Sequence, residues 1–150
     1  MSNEYDSSSR VILQTQADGS TYHFSYTTDA NNRIIATDVT DQLGHVRRVS
    51  FNSCGYIISD IASYGSAEQQ TVLYDREPDT NLVTAMTDQL GRLTRYAYNE
   101  LGRVTSVILL ANTPKALTYT YTYESSFGLL ESVTDTPCRF LTTLLAMRPS

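Results

Sequence analysis

The sequence predicts an all-β fold: a continuous antiparallel β-meander of about twelve strands, curled into a strip and built by repeating one hairpin. Three observations predict it. First, Thr87 to Val107 reads as turn, strand, turn, strand. Asp88 to Gly91 and Asn99 to Gly102 are turns, because Asp and Asn bond back to their own backbone and Gly takes a positive φ without steric cost. Leu93 to Tyr98 between them alternates in character and is rich in Tyr and Thr, as a half-buried strand should be. Second, no long segment spaces its apolar residues for a helix, while strand-favouring Thr and Tyr and turn-favouring Gly, Ser, Asn and Asp abound. Third, the hairpin recurs along the chain with a nearly fixed period.

The period is marked by the acidic or amide residue that closes each Tyr-rich strand. These residues are Asp6, Asp29, Asn52, Asp75, Asn99 and Glu124, at steps of 23, 23, 23, 24 and 25. Before them stand Tyr5, Thr28, Phe51, Tyr74, Tyr98 and Tyr123. Two residues earlier, on the same strand face, stand Tyr26, Val49, Val72, Tyr96 and Tyr121. Four residues after the marker come Arg10, Arg33, Tyr56 and Arg103, preceded by Ser9, Asn32, Gly55 and Gly102. The fourth and sixth repeats depart: Arg76 to Asn81 is a longer turn, and Ser125 to Gly128 shifts Gly by one place. The opposite turn has its own echo. Thr40 to Gly44 matches Thr87 to Gly91, Ala17-Asp18-Gly19 is a shorter version, and Thr134 to Arg139 aligns with Thr87 to Arg92, with Cys138 in the Gly place.

Strands bounded by these turns are predicted near 10–16, 21–28, 33–38, 45–51, 56–61, 69–74, 82–87, 92–98, 103–110, 117–123, 129–134 and 139–145. Ala62 to Ala67 and Ala111 to Ala116 are predicted irregular breaks. The six repeats, near 5–28, 29–51, 52–74, 75–98, 99–123 and 124–145, form one domain over 1–150.

Bulk properties exclude several classes. The 150 residues suit one modest domain. A net charge of -5, a pI near 4.8 and no basic stripe argue against binding nucleic acid. The acidic, polar start Met1 to Asp6 lacks the pattern of a signal peptide. The longest apolar runs, Val107 to Ala111 and Leu144 to Met147, fall far short of the ~20 residues of a membrane span.

Tyr-Asp-x-x-Gly-Arg-Leu alternating with Thr-Asp-x-x-Gly resembles the YD repeat of the RHS/YD-repeat proteins. Tyr5-Asp6, Tyr74-Asp75, Tyr98-Asn99 with Gly102-Arg103-Val104, and Asp88 to Leu93 carry the resemblance, which extends over roughly residues 5 to 145. It implies a long β-strip that spirals into a hollow shell around a toxic C-terminal domain, in bacterial polymorphic toxins and surface proteins. It therefore implies a wall segment with no catalysis and no cofactor, placed outside the cell or on its surface. The implied partners are further YD repeats or an enclosed C-terminal effector domain. The implied alternative is a surface carbohydrate-binding module facing glycans. No Asp-Pro-x-x-Gly-Leu segment, which ends the family's core, is present, so the chain is expected to be a piece of a longer array.

The residues themselves assemble no catalytic site. His23 and His45 are the only histidines, in or beside strands, and no Gly-x-Ser-x-Gly or His-Glu-x-x-His occurs. Tyr64 to Ala67 reads as an ordinary loop. Asp18, Asp41, Asp88 and Asp135 lie one per turn, which suits Asx turns and not the converging oxygens of a calcium site. Asp41, Gly44, Asp88, Gly91, Asn99 and Gly102 are expected to be structural turn residues. Tyr96 and Tyr98, and Tyr119, Tyr121 and Tyr123, share strand faces at i, i+2 spacing. Cross-strand aromatic packing explains them, and a sugar-stacking platform is the alternative. Arg33, Arg92, Arg95 and Arg103 are expected to cover aromatic faces or bridge to turn carboxylates. Cys54 and Cys138 fall in turns of opposite type, hence on opposite edges about 20 Å apart, too far for a disulfide. Phe140 to Leu145 is an apolar, uncapped strand expected to pair with another chain or to aggregate.

Overall fold

The computed structural model describes residues 1–136. It is all-β, with no helix among the described residues. Twelve strands follow one another: β1 Ser2–Tyr5, β2 Val11–Thr15, β3 Thr21–Thr28, β4 Ile34–Thr40, β5 Val46–Phe51, β6 Ile57–Ala62, β7 Gln70–Arg76, β8 Val83–Thr87, β9 Leu93–Tyr98, β10 Val104–Leu109, β11 Leu117–Tyr123 and β12 Leu130–Thr136. Their order in the sheet is their order in the chain. The sequence-predicted strands from 10–16 to 129–134 lie within two residues of β2 to β12. β1 was not predicted. Its four residues are all exposed, so no apolar alternation signals it. The predicted strand at 139–145 lies outside the described residues, as does Cys138.

The chain divides into two compact units at the Tyr74/Asp75 boundary. In the first, β1 to β7 pair as successive antiparallel hairpins. In the second, β8 to β12 do the same. A register shift recurs where a tyrosine-type strand ends. Ile12, Ile35 and Ile58 in the first unit, and Thr105 and Glu131 in the second, are the extra residues, each with a paired residue immediately before and after it. Such bulges bend a strand and increase its twist.

Turns on both edges share one design. Asp88 N–H donates to Arg92 C=O at 3.1 Å, and Gly91 N–H donates to Asp88 C=O at 2.9 Å. The same pair of bonds closes the turns that begin at Asp6, Gln16, Asp29, Asp41, Asn52 and Asn99. The fourth of these residues has positive φ every time: Ser9, Gly19, Asn32, Gly44, Gly55, Gly91 and Gly102. This is the type I turn with a left-handed fourth residue that suits a short hairpin. Two turns are one residue longer, Glu77 to Leu82 and Glu124 to Leu129.

Packing is thin. Ala85 and Ala111 alone are buried among the described residues, each with 4% of its surface exposed. Most strand residues are half-buried. The ladder of backbone hydrogen bonds, and not a thick apolar interior, therefore holds these strands in place.

Candidate functional site

The repeated side-chain chemistry lies in the turns. Asp88 Oδ1 accepts from the backbone N–H of Leu90 and of Arg92, both at 2.9 Å, while Oδ2 accepts from Arg92 Nε at 2.6 Å. One carboxylate thus satisfies the tip, the exit and the cation of its own turn. Asp6 with Arg10 and Asp29 with Arg33 repeat the arrangement. Asp41 repeats it with His45, whose Nδ1 lies 2.9 Å from Asp41 Oδ2. The backbone N–H of Arg92, then its guanidinium, holds the Asp88 carboxyl below its ordinary value of 3.8. The Asp41 carboxyl is lowered first by the His45 side chain. Asn52 and Asn99 make the two backbone bonds without a charge. In the longer turn the extra methylene of Glu124 matches the extra residue, and its carboxylate accepts from the N–H groups of Ser126, Phe127 and Leu129.

Two expected turn residues are placed differently. Asp75 lies inside β7, and the clamp of the fourth repeat starts two residues later, at Glu77. A shift of two preserves which side chains face each side of the sheet. Asp135 lies inside β12, opposite Tyr119, because β12 pairs with β11 as far as Thr136.

The arginines and tyrosines are shared between neighbouring strands. The Arg10 guanidinium lies 4.9 Å from the Tyr26 ring centroid, and that of Arg103 lies 5.6 Å from Tyr123. The hydroxyls of Tyr26, Tyr98 and Tyr123 donate to the carbonyls of Val11, Val83 and Val104 at 2.6, 2.8 and 2.7 Å. Tyr96, Tyr98, Tyr119, Tyr121 and Tyr123 are half-buried. Arg95 is exposed on β9, and His23 is exposed on β3. Cys54 is exposed in its turn. Among the described residues no group of three His, Cys, Asp or Glu side chains could hold a metal ion.

Residues 78–114 match the family model described as RHS Repeat. The chain carries an RHS repeat. The matched span enters through the long turn at Glu77, takes in the clamps at Asp88 and Asn99, and ends in the loop after β10. The same turn bonds recur outside the matched span, at Asp6, Asp29, Asp41 and Asn52. No curated protein matches the chain. The crystal structure of TcdB2-TccC3 without its hypervariable C-terminal region is similar at 13% identity and a TM-score of 0.44. That of TcdB2-TccC3-TEV is similar at 13% and 0.42. Each covers 89% of this chain and 10% of its own, so the chain spans about a tenth of their length.

One element escaped the sequence reading: a second, longer period. The loops 63–69 and 110–116, 47 residues apart, follow the same backbone pattern. Ser63 and Leu110 both have φ of 51°. The next N–H groups, of Tyr64 and Ala111, reach back to the carbonyls of Val46 and Leu93, each at 2.8 Å. Gly65 and Asn112 are left-handed in turn. The matched turns at Asp41 and Asp88 carry the signal in sequence, but the loop residues themselves share no identity at the positions that define the geometry.

Between each such turn and loop lies an open notch. In the first unit it measures about 460 Å³ and is lined by Val39, Asp41, His45, Ala62 and Ser63, with Tyr22 and Arg47 at its side. In the second unit the notch, about 360 Å³, is lined by Met86, Asp88, Arg92, Leu109 and Leu110. These are the same positions 47 residues on.

Proposed function

We propose that this chain is a segment of wall in a larger RHS/YD-repeat shell, that the shell encloses an effector domain, and that the segment itself performs no catalysis. The RHS match and the structural character of its repeats support the coarser part of this reading. The observation that carries the finer part is where the polar groups are used. The turn carboxylates of Asp6, Asp29 and Asp88 close their own turns, and the hydroxyls of Tyr26, Tyr98 and Tyr123 close their own hairpins. An active site makes different residues converge once, whereas these groups repeat and each acts locally. The closest approach to catalytic machinery is Asp41 with His45. It occupies the place that Asp–Arg pairs fill in three other turns, which supports a structural use.

On this reading the chain works among further repeats of one array, as a single strip, outside the cell or on its surface. The test is to place the segment within a full-length repeat protein and measure protease protection of the enclosed domain. Protection should survive His23→Ala and His45→Ala and fall with Gly91→Val. An activity abolished by either histidine change, with folding intact, would overturn the reading.

A further inference from the structure

The turns that follow the tyrosine strands end on a residue whose carbonyl accepts from the N–H of the marker. In three of them it is an arginine: Arg10, Arg33 and Arg103. Each guanidinium reaches from its own turn toward the next. Arg10 and Arg103 lie 4.9 and 5.6 Å from the Tyr26 and Tyr123 ring centroids, and Arg33 Nη1 donates to the Ser53 carbonyl at 3.3 Å. In the fourth repeat the place belongs to Leu82, whose carbonyl accepts from Glu77 N–H at 3.0 Å. Beside Leu82, between the turns 77–82 and 99–103, lies an open cavity of about 520 Å³. Glu77, Tyr96, Tyr98, Asn99 and Glu100 line it with Leu82, and no cationic side chain among the described residues does. Relative to their markers, Tyr96 holds the place of Tyr26, Tyr98 that of Tyr123, and Glu100 that of Ser53. Arg76 donates to the Asn81 carbonyl at 2.7 Å and is not part of the lining.

We propose that this cavity binds the guanidinium of an arginine side chain carried by another polypeptide, in the place that Arg10, Arg33 and Arg103 fill from within the chain. Tyrosine rings at these places are the partners that the chain's own arginines use, and an aromatic face attracts a cation. What differs is the charge. Ser53 offers Arg33 a carbonyl, and at the same place Glu100 adds a carboxylate. A planar guanidinium can stack on a ring and present two parallel N–H groups to one carboxylate, which an ammonium cannot do. Thr80 Oγ1 donates to one oxygen of Glu77, so Glu100 is the principal acceptor. The inference goes beyond the wall reading and does not need it, since a cavity can take a cation whether or not the strip encloses anything.

Titration of the full chain with N-acetylarginine N-methylamide, followed by NMR, tests this, with circular dichroism to verify the folding of each variant. The probe should shift the Tyr96 and Tyr98 ring protons saturably. The lysine analogue should bind at least about twofold more weakly, and the neutral citrulline analogue should not bind. Glu100→Gln should weaken binding about two- to fivefold, and Glu77→Gln combined with it should weaken binding further. Leu82→Arg supplies the repeat's own arginine and should abolish the shifts, whereas Leu129→Arg, at the same place in the sixth repeat, should leave them. Citrulline binding as tight as arginine, binding indifferent to both glutamine changes, or unaltered binding in a folded Leu82→Arg chain would overturn the proposal, as would the absence of saturable shifts.

Discussion

Tyr98 donates its hydroxyl proton to the backbone carbonyl of Val83 at 2.8 Å, one residue beyond the position directly opposite that valine. Tyr26 and Val11, and Tyr123 and Val104, stand in the same relation. The phenol therefore clips the mouth of a hairpin where the valine strand begins. Burial raises the Tyr98 phenol above its ordinary value of 10.0. Tyr98→Phe keeps the ring and loses the clip, and should lower stability by about 1 kcal/mol in urea unfolding. An unchanged midpoint would show that the hydroxyl bond adds nothing net.

Asp88 offers a cleaner dissection because the chain already contains its neutral counterpart. Asn52 and Asn99 make the two turn bonds without charge. Asp88→Asn should therefore fold with nearly unchanged stability at neutral pH, whereas Asp88→Ala should lose several degrees of melting temperature. The ion pair with Arg92 is exposed and adds little.

Acid should act through the same group. The folded Asp88 carboxyl lies below its ordinary 3.8, as do those of Asp6 and Asp29. A depressed folded value gives stability that is present above the unfolded value and is lost as pH falls through the folded one. Melting temperature should hold near neutrality and fall below about pH 4. Asp88→Asn should flatten part of that fall. A variant with the full acid sensitivity of the parent would place the effect elsewhere.

Gly102 has φ of 73°, and a Cβ added there would meet Leu82 at 3.7 Å, an ordinary contact. Space is thus available, and the backbone is the obstacle. Asn32 holds the matching place in its own turn with φ of 60°. Gly102→Asn should be mild and Gly102→Val should cost about 1–2 kcal/mol. Equal losses for the two would show that side-chain volume, not φ, decides.

Gly128 shares the backbone obstacle, with φ of 66°, and adds a steric one: a Cβ there would collide with the Arg103 guanidinium. Gly128→Ala should displace the guanidinium from the Tyr123 ring, visible as a shift of the Tyr123 ring protons in NMR. Arg103→Ala should produce the same shift and remove any further effect of Gly128→Ala on those ring protons, leaving only the backbone strain of a left-handed alanine.

Much of this was legible because turns announce themselves. Asp-x-x-Gly at Asp88 and Asn-x-x-Gly at Asn99 carry both the side-chain acceptor and the left-handed residue, so the strands between them follow. β1 was illegible because its residues face solvent on both sides. The longer turn after Tyr74-Asp75 was legible at 76–81, but not that it closes from Glu77 to Leu82, because Tyr74-Asp75 repeats the usual letters while the strand runs on to Arg76. The notches were hidden more deeply. They depend on positive φ at Ser63 and Leu110, a backbone property shared by residues with nothing chemical in common.

Each observed pairing joins strands that are immediate neighbours along the chain. No strand here must wait for a distant stretch of polypeptide, so the entropy of closing long loops is never at stake. Such a chain can assemble in the order in which its residues become available, one pleat at a time, from a ribosome or from the far side of a narrow opening. Adding or removing one hairpin changes the length of the product without rewriting the folding instructions of the rest.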